Sequence, residues 1–174
     1  MGRSVKICLR SGLAALGLVG LLLLAACSSS GTLAVSTPKS EPIPAGKMVA
    51  LSVTSAGDED SRDAAERLKN DLFGRLVSEG VFKQVVQTGQ PADYRMTVAL
   101  SGVEHVSQTA RILLGVLAGS NELTADVTLV RATNGTVVEK FKVTGESASH
   151  PLSGENGIED AIREAAAKTV QALK

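Results

Sequence analysis

The chain has no tryptophan, one tyrosine and three phenylalanines, so aromatic faces are almost missing from it. That argues against a stacking platform for bases or sugars, which is built from such faces. It does not argue against a folded domain, because Val, Leu, Ile and Ala can form a core and small aliphatic side chains pack closely. Cysteine is scarce too, with Cys8 and Cys27 the only two. Histidine is limited to His105 and His150, and neither stands at ligand spacing from Cys, Asp or Glu. Zinc or a facial triad needs at least three converging groups, so no metal site and no cofactor is expected. No G-x-S-x-G elbow and no phosphate loop with its lysine is present. Nor does charge of one sign dominate, since 18 cations balance 18 acids.

What the chain does have begins at its N-terminus. Arg3, Lys6 and Arg10 precede an apolar run over residues 13–26, which closes on Leu24-Ala25-Ala26-Cys27. A basic start, a short apolar stretch and small residues at the cut describe a secretory signal peptide. The Leu-Ala-Ala-Cys ending resembles the bacterial lipobox. That resemblance implies a diacylglyceryl group on the Cys27 sulfur, cleavage before it and acylation of the new amine, the palmitate-type modification of envelope lipoproteins. An uncleaved anchor would need a longer apolar span, of about 20 residues. Cleavage leaves 15 cations against 18 acids, a net charge of −3, with no basic patch to recruit nucleic acid. The remaining cysteine is the lipidated one, so no disulfide is expected even in a compartment that permits them. Ser28 follows Cys27, where aspartate is the usual inner-membrane retention signal of enteric bacteria. The outer membrane, facing the periplasm, is therefore favoured over the inner membrane.

Residues 27–46 are rich in Ser, Thr, Pro and Gly and read as the lipidated cysteine with a flexible tether. Residues 47–174 read as one domain. Val49, Leu51 and Val53 alternate as a short strand. Asp58-Glu59-Asp60 opens a helix, with Asp60 as its expected N-cap and Ala64, Ala65, Leu68, Leu72 and Leu76 on its apolar face. Gly80 ends that helix, and residues 81–86 form a β-branched run. A longer strand carries Tyr94, Met96, Val98 and Leu100 on one face, and another carries Leu123, Ala125, Val127 and Leu129. Asn134-Gly135 marks a hairpin turn, and Val137, Phe141 and Val143 are expected on the inner face of the return strand. Both apolar sets fall on odd numbers. They share a face only if paired indices sum to an even number, so a two-residue turn is rejected. A three-residue loop, Thr133-Asn134-Gly135, with Gly135 left-handed and Val127 opposite Phe141, satisfies the parity. Residues 156–173 form a last amphipathic helix, with Asn156 and Glu159 as a capping-box-like start. The expected fold is α+β: a mainly antiparallel sheet of about five strands with two amphipathic helices on one face.

One segment stands apart. Ile112, Leu113, Leu114, Gly115, Val116, Leu117 and Gly119 belong to a run without charge between two strands, where polar turn residues would be usual. It is far too short to span a bilayer. Burial against the core is the favoured expectation for it. A subunit contact or a contact with lipid or a membrane partner is the alternative.

The lipobox, the L-V-S-E-G-V-F stretch at residues 76–82, the R-I-L-L-G-V-L-A-G segment at residues 111–119 and the strand-turn-strand around Thr133-Asn134-Gly135 together resemble one group. It is the bacterial lipoprotein family called domain of unknown function 4410. The resemblance implies a cell-envelope lipoprotein and supplies no catalytic residues. Taken together, these readings lead to the expectation of a lipid-anchored binding or assembly-support module rather than an enzyme. Its partners would be the membrane, through its lipid, and an envelope protein or further copies of itself. A small envelope hydrolase or a periplasmic ligand carrier is the alternative.

Overall fold

The computed structural model describes residues 29–114, 118–148 and 157–174. The signal, Cys27, Gly115 to Leu117, His150 and the Asn156 cap lie outside them. Six strands, β1 (Ser30–Thr37), β2 (Met48–Ser55), β3 (Gln84–Gln87), β4 (Tyr94–Glu104), β5 (Glu122–Arg131) and β6 (Val137–Glu146), form one sheet in the order β1-β6-β5-β4-β2-β3. Three helices, α1 (Glu59–Ser78), α2 (Gln108–Leu114) and α3 (Gly157–Leu173), complete the fold.

The fold is α+β, as the alternating and helical patterns predict, but the sheet is mixed. β1, β6, β5 and β4 pair antiparallel, while β2 runs parallel to both β4 and β3. The parallel part follows from the strand-helix-strand order of β2, α1 and β3, since a helical crossover returns the chain in the same direction. Val49, Ala50 and Leu51 are consecutively buried in β2, as befits an inner strand next to a parallel neighbour.

Helices α1 and α3 cover one face of the sheet. Ala64, Ala65, Leu68, Leu72 and Leu76 of α1 are all buried, as their spacing predicts, with Ala161, Ile162, Ala165, Ala166, Val170 and Leu173 of α3 beside them. They pack on Met96, Val98, Leu123, Val127, Leu129, Phe141 and Val143. The N-cap of α1 is Asp58, not Asp60: its Oδ1 accepts from the Ser61 N–H at 3.0 Å. That hydrogen bond, with a further contribution from His105, holds the Asp58 carboxyl below the usual carboxylate range. Residues 81–83 lie outside β3, but Val81 and Phe82 are buried in the core before it starts.

Two further expectations are corrected. Residues 30–37, read as part of a tether, form the edge strand β1, paired with β6 from Ser30–Glu146 to Thr37–Lys140. The following stretch lies over the sheet: Ser40 donates its N–H and Oγ to Val138 O at 2.9 and 3.2 Å. Glu41 pairs with Arg131, and Ile43 packs against the core. The hairpin keeps the expected even parity, with Val127 opposite Phe141 and Leu129 opposite Glu139, yet reaches it by another route. Arg131 N–H donates to Thr136 O at 2.9 Å, so the loop has four residues with Gly135 at φ 71°. A bulge next to Leu129/Val130 then restores the register. The extra residue turns Val137 outward, at 41% exposure, and buries Val138 instead, while Glu139 faces inward by alternation with Phe141 and Val143.

Close approach rather than flexibility accounts for Gly145. A Cβ there would overlap the Ala161 carbonyl oxygen and stand 2.7 Å from Ala165 N, so α3 lies directly on the β6 backbone.

Candidate functional site

The register defines two ends of the sheet. At one end Ser30, Glu146, Glu122 and Glu104 stand in one row across β1, β6, β5 and β4. The connection holding α2 leaves this row at Glu104 and returns to it at Glu122. Its base is clamped by two buried polar residues that sequence pattern did not single out, Asn121 and Ser147. Asn121 Oδ1 accepts from Val106 N–H at 2.7 Å, and Asn121 N–H donates to Ser147 Oγ at 2.9 Å. Ser147 N–H in turn donates to Asn121 O at 2.9 Å. A polar residue just before an alternating run is too common a signal to have marked them.

Above this clamp Ser107 Oγ accepts from Ala110 N–H at 3.2 Å and starts α2. The helix packs on no strand or other helix among the described residues. Ile112, Leu113 and Leu114 are 72%, 76% and 56% exposed. The expected burial against the core is therefore overturned for these three. The physical reason is that α1 and α3 already fill the covered face, leaving no apolar surface for a third helix to share. Gly119 lies exposed near the return to β5, and Gly115, Val116 and Leu117 lie outside the described residues.

At the opposite end, the strap over residues 38–47 is tied by charge. Lys47 Nζ meets Asp93 Oδ1 at 2.9 Å, while Asp93 Oδ2 accepts from Met48 N–H at 2.9 Å. The Met48 N–H first and the Lys47 ammonium second hold the Asp93 carboxyl below the usual range. Next to this strap, Glu139 is only 4% exposed, and its Oε2 has no hydrogen-bond partner. Burial pushes its carboxyl above the usual range, against the opposing pull of Lys39. A buried carboxylate oxygen without a partner is costly, and here strand alternation with Phe141 and Val143 places it on the covered face.

The uncovered face of the sheet is polar. Thr124 and Thr144 hydroxyls meet at 3.1 Å across β5 and β6, and Lys142 reaches Asp126 at 3.7 Å. An open groove of about 450 Å³ lies on this face between β2, β4 and the loop over residues 88–92, with Ser52, Arg95, Thr97, Thr88 and Gln90 lining it. Among the described residues no three of His, Cys, Asp or Glu stand close enough to hold a metal ion. His105 is exposed at the end of β4. No described helix is long and apolar enough to cross a membrane.

This architecture, a mixed sheet with helices on one face and an open groove on the other, is that of a small α+β module. Residues 35–151 match the family model for a domain of unknown function, DUF4410, and the chain belongs to that family. No curated protein matches the chain. Among solved structures, the PelC dodecamer from Paraburkholderia phytofirmans is similar at 16% identity with a TM-score of 0.57, over 82% of this chain and 96% of that one. A point variant of that dodecamer is similar at 20% identity with a TM-score of 0.54 and the same coverage. At these identities the likeness is one of fold.

Proposed function

We propose that this chain is a lipoprotein of the bacterial cell envelope, anchored in the outer membrane through Cys27, facing the periplasm and acting as a non-catalytic assembly-support module. The observation that carries the reading is the outer edge of β1. It is eight residues long, it ends the sheet, and its Leu33 and Val35 are half-exposed. An open strand of this kind offers a row of main-chain donors and acceptors to another chain. A second copy is the occupant that fits, since head-to-tail contacts between copies close into rings when the rotation allows. Proteins of the same fold that assemble as dodecamers support this reading.

The test is the mass of the purified full-length lipoprotein in mild detergent, by light scattering. The wild type is expected to run as a closed oligomer and the Leu33→Lys/Val35→Lys variant as a monomer, because edge lysines block strand addition. A wild type that remains monomeric at high concentration removes the reading. A ligand carrier is the second reading, favoured by the groove beside Arg95. Its size suits a small polar or anionic molecule, and Arg95→Ala would abolish binding of such a molecule without changing the mass of the assembly.

A further inference from the structure

We infer that Ile112, Leu113 and Leu114 of α2 form a second membrane contact, docking the sheet end that carries Ser30 onto a zwitterionic phospholipid surface. The inference rests on the lipid anchor at Cys27 and adds a protein surface to it.

The path of the chain selects the occupant. Ser29 Oγ donates to Glu164 Oε1 of α3 at 3.0 Å, which fixes the start of the described chain against the domain. Only Ser28 separates Ser29 from Cys27. Whatever conformation that stretch adopts, two residues reach no further than about 7 Å. An acylated Cys27 therefore holds the Ser30 end of the sheet at the bilayer. Ser30 is in register with Glu146, Glu122 and Glu104, and α2 rises between the last two of these. Strands lie about 4.8 Å apart, so β1 and β4 are separated by only about 15 Å along this row. The lipid and the exposed helix thus leave the domain from the same end.

The chemistry of the segment agrees with that placement. Ile112, Leu113 and Leu114 are the three most exposed large apolar side chains among the described residues, and no charged residue occurs from Ile112 to Asn121. Being far below the roughly 20 residues of a span, this exposed patch would lie in the interfacial layer. The acids in the row beneath it repel anionic headgroups, which is why a zwitterionic surface is the fitting one.

In the full-length lipoprotein the Cys27 sulfur is in thioether linkage and Cys8 has left with the signal, so Leu113→Cys introduces the single free thiol. An environment-sensitive dye on it is compared with the same dye on Asn134→Cys in the hairpin loop, with one protein copy per phosphatidylcholine nanodisc. The label at 113 is expected to shift to the blue and to be quenched roughly twofold or more by spin-labelled lipid, with position 134 unaffected. Equal exposure at both positions, on a chain whose N-terminal peptide carries its acyl mass, overturns the second contact and leaves the anchor standing. An N-terminal peptide without acyl mass overturns both. Protection at 113 that appears only when several copies share a disc assigns the surface to a second copy and overturns the inference.

Discussion

The two ends of the sheet are finished in opposite ways. At the hairpin end the strap over residues 38–47 seals the core through Ser40, the Glu41–Arg131 pair, Ile43 and the Lys47–Asp93 bridge. At the Ser30 end the Asn121–Ser147 clamp closes the backbone, and above it Ile112, Leu113 and Leu114 are left in the open. A small domain can afford one such surface if the rest of its core is complete, and exposed contiguous apolar groups mark contact sites. The comparison teaches that exposure here is local: it stops at the clamp and does not reach the core.

Several substitutions would break or sharpen that contrast. The largest effect is expected at Gly145, where α3 presses on β6. Gly145→Ala should lower stability by about 3 kcal/mol, at the upper end for overpacking, because backbone rather than a flexible side chain stands in the way. Chemical denaturation checks this, and a tolerated alanine would mean that α3 is not seated as described. Glu139→Gln at the hairpin end should stabilise by about 1–3 kcal/mol at neutral pH, since it removes the charge of a buried carboxylate whose Oε2 has no partner. The raised folded-state pKa fixes the sign: the penalty is absent below the unfolded glutamate range and grows as pH rises through the folded pKa. Melting curves of the two proteins should therefore converge as the pH is lowered. Curves that stay parallel would show that Glu139 is satisfied.

A smaller loss, about 1–2 kcal/mol, is expected for Asn121→Ala, which leaves the Val106 N–H without its acceptor. Amide hydrogen exchange should rise first in residues 105–120, with β5 still protected. Smallest of all is Leu113→Asp, whose effect on stability should stay within about 0.5 kcal/mol because the side chain is already in water. Unfolding of that variant would return the segment to the core and erase the difference between the ends.

Much of this was legible in the sequence where a periodic face met the core. The stripes of α1 and α3 and the alternation of β4 and β5 were read residue by residue, because each has a single buried face and a period that leaves little choice. The pairing of Val127 with Phe141 followed from parity, which holds for any loop that adds the right number of residues. For the same reason parity could not distinguish a three-residue loop from a four-residue loop with a bulge, so it does not fix the facing of Val137 and Val138. β1 was missed because an edge strand buries little: its Ser, Thr and Gly content is that of a linker, and only Leu33 and Val35 alternate. The exposure of α2 was missed because apolar content predicts contact but not the partner, and α1 and α3 had already used the covered face.

The edge strand has a mechanical consequence. β1 contributes no side chain to the buried core, so main-chain bonds to β6 and a few contacts at its start hold it in place. Such an element opens by local unfolding well below the global free energy. While it is paired, the leash between Cys27 and the folded body is a couple of residues, and the domain rides close to its lipid. Once β1 detaches, the leash becomes the stretch to Ser40, where the strap is tied down, with a reach on the order of 20 Å. A strand that exchanges between paired and free states thus works as a clutch: it sets how far from the membrane the domain can travel while the rest of the fold stays unchanged.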